Sequence, residues 1–110
     1  MGRPSERLQA AYDRRSQAKS ILAAAQRGPL QTLTDRELAL REHAVTIYPT
    51  ALQRRARAWV RFGLESVRVE ATLMRTTPLA AGIEFRAEDE VFRCWVWGNA
   101  ITLDDVDGQA

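Results

Sequence analysis

A chain of 110 residues is most simply one domain, or one small domain with a helical arm, and at that size it buries roughly two thirds of its unfolded surface without staples. The hydrophobic fraction of 45% and charged fraction of 27% exclude a disordered chain, and the single cysteine, Cys94, excludes an internal disulfide framework and a zinc site built mainly on thiolates. Charge is uneven: residues 1–66 hold twelve basic and six acidic side chains, residues 67–110 four and eight, so only the N-terminal half could face a polyanion.

Residues 4–26 read as a helix. Pro4 suits a first turn, and nothing interrupts the run before Gly28-Pro29. Leu8, Ala11, Ala18, Leu22 and Ala25 make a thin, Ala-rich stripe broken by Arg15, with Tyr12 and Ile21 beside it. Such a helix must lie on something, either its own domain or a partner. Thr34-Asp35-Arg36-Glu37 then has the form of a capping box, with Leu33 and Leu38 placed as a hydrophobic staple, and predicts a helix starting at Asp35.

Pro49 interrupts the next segment. Leu40, Ala44 and Ile47 continue the apolar spacing, so two helices meeting at a kink are expected; the competing reading makes residues 43–48 a short strand. For residues 50–62 an amphipathic helix is expected. Leu52, Ala56, Trp59 and Val60 share one side, Arg54, Arg57 and Arg61 the other, with Arg55 on the flank, and Gly63 serves as a stop.

From Val67 to Leu103 the pattern changes to a three-stranded antiparallel meander. Val67, Val69, Ala71 and Leu73 alternate with polar residues; Ala81, Ile83, Phe85 and Ala87 do the same after Thr77-Pro78. Glu88-Asp89-Glu90 is a tight acidic turn. The third strand is apolar on both faces, Phe92, Cys94, Val96 and Ala100 against Val91, Trp95, Trp97 and Ile101, and is expected to be covered on both. Residues 104–110 read as an acidic, flexible tail.

The expected class is therefore α+β: two or three N-terminal helical segments followed by a three-stranded meander. The divisions are an arm over 1–28, a helix-plus-meander domain over 29–103 and the tail. A winged-helix arrangement would make residues 50–62 a recognition helix. The Thr77-Pro78 break, the Gly82-Ile83-Glu84-Phe85 strand and the closing Trp95-Val96-Trp97 resemble the open, SH3-like β-modules of many small bacterial and phage proteins. That resemblance covers about the final third and implies strand pairing, not an activity.

Arg54, Arg55, Arg57 and Arg61 are the leading site candidates, because no acidic residue lies between Glu42 and Glu65 and guanidinium groups engage phosphates bidentately. The alternative is a solvated face in an Arg-rich chain. Trp95 and Trp97 are candidates for base stacking or an interface, or else core beneath a helix. His43 stands without a partner residue. Asp104, Asp105 and Asp107 lack helper ligands for a hard cation, and Gly2-Arg3-Pro4 is one copy of a minor-groove-like arm. No cofactor, metal or catalytic motif emerges.

The reading is a non-enzymatic nucleic-acid-associated or regulatory protein using a basic helix on a phosphate backbone. The alternative is a protein-interaction or assembly module docking through residues 4–26 or the Trp-bearing strand. No apolar run approaches the roughly 20 residues that span a bilayer, the N-terminus lacks a signal peptide's apolar stretch, and the myristoylation pattern is incomplete. The expected location is cytoplasmic, with no membrane partner.

Overall fold

Arg54–Phe62 decides the architecture. In the computed structural model, which describes residues 3–104 with side chains from residue 13, this segment is strand β2. Ala56, Ala58, Val60 and Phe62 are fully buried, while the residues between them are exposed. That is the period of a strand. β2 pairs antiparallel with β3 (Glu65–Thr76) along its whole length, from Arg54↔Leu73 to Phe62↔Glu65.

The other elements are arranged around this hairpin. Helix α1 (Arg3–Arg27) precedes a single helical turn, α2 (Asp35–Leu38), and a two-residue strand, β1 (Thr46–Ile47). A 3-10 turn at Thr50–Leu52 leads into β2. After β3 come β4 (Ala80–Ala87), β5 (Glu90–Trp97), a second 3-10 turn at Gly98–Ala100 and β6 (Ile101–Leu103). The strand order is β5-β4-β3-β2-β6, with β1 on β3 beyond the point where β2 begins.

Two irregularities shape the sheet. Met74 is an extra residue in β3, since Leu73 pairs with Ile83 and Arg75 with Gly82; such a bulge bends its strand. The β3–β4 ladder runs only from Thr72↔Glu84 to Thr76↔Ala81, and below it the strands part. There the Glu70 N–H donates to Gln17 Oε1 at 3.0 Å, so α1 supplies the partner that β4 does not. Ile21 and Ala24 of α1 are completely buried among Val60, Val69, Ile83 and Phe85. Phe62, Phe85 and Phe92 close the core, the last two stacked with centroids 5.1 Å apart and Phe62 edge-on to both.

The expected helix-then-meander arrangement, SH3-like or winged-helix-like, is thus replaced by a six-stranded antiparallel sheet with one long helix. Residues 50–62 form a 3-10 turn and a strand, so there is no recognition helix in them. The capping box at Thr34 does form: Thr34 Oγ1 accepts from Glu37 N–H at 3.1 Å, and Glu37 Oε1 accepts from Thr34 N–H at 2.9 Å. Yet α2 stops after one turn at Ala39, which adopts a left-handed φ of 52°. The apolar spacing beyond it does not mark a buried face, because Leu40 and Ile47 are exposed and only Leu38 is buried. Residues 43–48 resolve to the strand alternative, with Thr46 and Ile47 paired to Thr76 and Arg75. The expectations for Gly2, Asp105 and Asp107, and for the side chains of Arg3, Pro4, Leu8, Ala11 and Tyr12, lie outside the described residues.

Candidate functional site

The alternation of β2 sends Arg55, Arg57, Trp59 and Arg61 to the face turned away from α1. Arg54 has the parity of Ala56 and belongs to the other face, so the structure separates it from the remaining three. Across the β2–β3 ladder, Arg68 stands opposite Trp59, Ser66 opposite Arg61 and Glu70 opposite Arg57. These arginines are carried by a strand rather than by the expected helix.

Their charges are only lightly compensated. Arg55–Glu70 and Arg57–Asp104 each span 3.9 Å, the first between exposed groups and the second reaching a partly buried Asp104, and pairs so long and open contribute little. Arg61 Nε donates to Ser66 Oγ at 3.4 Å. Among the described residues, neither Arg61 nor Arg68 forms an ion pair. Elsewhere on this face Arg93 and Glu84 pair at 2.9 Å.

Residues 29–33 bring the far strand to this face. Gln31 N–H donates to Arg61 C=O at 2.8 Å and Gly63 N–H to Pro29 C=O at 2.7 Å, attaching the segment to the end of β2. Two residues on, Leu33 N–H donates to Trp95 C=O at 3.0 Å, and Trp95 N–H donates to Thr32 Oγ1 at 2.8 Å. The segment stitches β2 to β5, strands at positions well apart in the sheet order. Over this seam lies a groove of about 730 Å³, lined by Gln31, Thr32, Leu33, Glu37, Trp59, Arg61, Leu64, Trp95 and Trp97 among others. It holds all three tryptophans of the chain.

The expectation that β5 is covered on both faces is corrected here. Phe92, Cys94 and Val96 face the core, but Val91 and Trp97 on the other face are 46% and 41% exposed. Trp95 is half-buried, its ring lying on Gly82, where an added Cβ would stand 3.4 Å from Cε2 and Cζ2. Trp59, assigned to an apolar helix side by its spacing, is 53% exposed and joins the groove. The two-residue alternation from Arg55 to Phe62 is a signal for its exposure on a strand, though not for its place in the groove.

The remaining candidates stay apart from this surface. His43 is half-buried in the turn after α2, its backbone N–H donating to Ala39 C=O at 2.9 Å. Cys94 is buried, and desolvation pushes its thiol up to about 11, which keeps it protonated and unreactive at neutral pH. Among the described residues, no group of three or more His, Cys, Asp or Glu is placed to hold a metal ion, and no helix is long and apolar enough to cross a membrane.

Comparison of the chain with family models, with curated proteins and with solved structures gives no match. Fold and surface together define a class: a mostly-sheet domain, one long helix packed on one face and an arginine–tryptophan surface on the other.

Proposed function

We propose that this is a small, non-enzymatic nucleic-acid-associated module that engages a phosphate backbone through Arg55, Arg57 and Arg61. The observation that carries the reading is the outer face of β2, where three arginines and Trp59 project from one strand on the side free of α1. Guanidinium groups so held meet phosphates without ordering a loop, and their weak ion pairs are readily exchanged. A protein-interaction role is the second reading, favoured by Leu64 at 95% exposure beside the half-exposed Trp59.

Fluorescence anisotropy with labelled DNA and RNA at several salt concentrations tests the proposal. Binding should weaken with salt, and three phosphate contacts on a single strand correspond to a log–log slope of about −2. The combined Arg55→Ala, Arg57→Ala and Arg61→Ala variant should lose most of that slope. Arg54→Ala, on the opposite face, should change it far less. Absence of binding, or affinity indifferent to the triple variant, overturns the reading.

A further inference from the structure

Resting on that reading, we propose that the groove at the β2–β5 seam receives unpaired bases, so that the ligand is a single strand and not a duplex. Trp59 on β2 and Trp97 on β5 present half-exposed rings, and Trp95 lies against Gly82 between the seam and the sheet. Strand-borne rings of this kind are preformed stacking surfaces, and every base offers a π-face to them. In a duplex those faces are already occupied by neighbouring base pairs. The groove, at about 730 Å³, falls within the roughly 300–1,000 Å³ typical of preformed ligand sites.

An arginine beside the rings favours this occupant over an apolar peptide. Arg61 lines the groove and Arg68 stands opposite Trp59 on the neighbouring strand, neither in an ion pair among the described residues. Among the described lining residues the one carboxylate, Glu37, is held in the α2 cap by Thr34 N–H and Oγ1, which fixes its place without removing its charge. Bases over the indoles therefore place their phosphates beside Arg61, whose guanidinium holds a neutral hydroxyl rather than a carboxylate, the kind of contact that single-strand surfaces use.

The test compares a 12-nucleotide deoxythymidine oligomer, a duplex of equal length and an abasic oligomer with the same phosphates, read by anisotropy and tryptophan quenching. The thymidine oligomer should bind at least tenfold more tightly than the other two and quench the intrinsic fluorescence. Trp59→Ala and Trp97→Ala should each lower its affinity by roughly tenfold, leave the salt slope unchanged and leave abasic binding as it was. Trp59→Phe should restore part of the loss, since a ring still stacks. Equal affinity for the duplex or the abasic chain, or unaltered affinity in both Trp→Ala variants, overturns base stacking while the phosphate reading stands. Loss of all binding to all three probes overturns both. Tight capture of an uncharged peptide that displaces the oligomer from the parent but not from Trp59→Ala would assign the groove to a protein and overturn the inference.

Discussion

Gly28 and Gly63 touch backbone to backbone, and this contact anchors α1 to the β2–β3 turn. A Cβ on Gly28 would stand 2.7 Å from Gly63 Cα and 2.9 Å from its nitrogen, distances that side-chain motion cannot relieve. Gly63 also holds a left-handed φ of 59° and donates to Pro29 C=O at 2.7 Å. Gly28→Ala must therefore push the helix end away from the hairpin. We expect a loss of about 1–3 kcal/mol, measured by urea denaturation. A substitution of the neighbouring exposed Pro29 that keeps its carbonyl in place should cost less. Beside this contact, Arg27 and Glu65 pair at 2.8 Å in the open, and the hydrogen bond from Arg27 holds the Glu65 carboxyl below its usual range. Any stability this pair adds is present above the ordinary carboxylate range and fades as pH falls through the lowered value.

At the scale of elements, the part of α1 with described side chains, from residue 13 on, is held by little apolar surface. Of its described side chains Ile21 and Ala24 alone are fully buried, with Ala18, Leu22 and Ala25 partly covered, and Gln17 caps an open N–H in β3. A helix with so narrow a contact depends on its largest anchor. Ile21→Ala should cost about 2–5 kcal/mol, because it removes a completely buried side chain in a gap that the parted β3 and β4 cannot close. Equilibrium unfolding checks the size, and hydrogen exchange should show α1 and the Glu70 amide losing protection together. The helix end at Gly28, the cap at Thr34 and the alternating runs of β3 and β4 are readable in the sequence, since each depends on residues within a few positions. Arg54–Phe62 misleads for a physical reason. Its residues satisfy a helical and a two-residue period alike, and its Arg and Ala residues are among the better helix formers, so local preference leans to the wrong state. Pairing with β3 and β6 chooses.

At the scale of the whole molecule, residues 29–33 convert an open meander into a curled sheet whose first long strand and fifth strand are linked. The Thr32 hydroxyl is the polar clasp on β5, accepting from Trp95 N–H at 2.8 Å. Thr32→Val keeps the shape and removes that acceptor. We expect a loss of about 1 kcal/mol, faster exchange at the Trp95 amide and weaker tryptophan quenching by the thymidine oligomer, because the ring loses its fixed backbone. Thr32→Ser should behave as the parent does. The same clasp explains why the site is only half legible in the sequence. Arg55, Arg57, Arg61, Trp95 and Trp97 stand out by type, but nothing near Trp59 in the chain indicates that it shares a groove with two residues of β5.

By itself the sequence determined the local features: where α1 ends, where α2 is capped, which residues of β3, β4 and β5 share a face, and that an arginine-rich stretch lacks nearby acidic partners. Only the tertiary structure decided that this stretch is a strand, that β6 returns to pair with it, and that three tryptophans from two strands meet over one seam. The reason is range. Caps and alternation act through neighbours, whereas the state of Arg54–Phe62 rests on hydrogen bonds to β3, to β6 and to residues 29–33, and those partners exist only once the chain has folded.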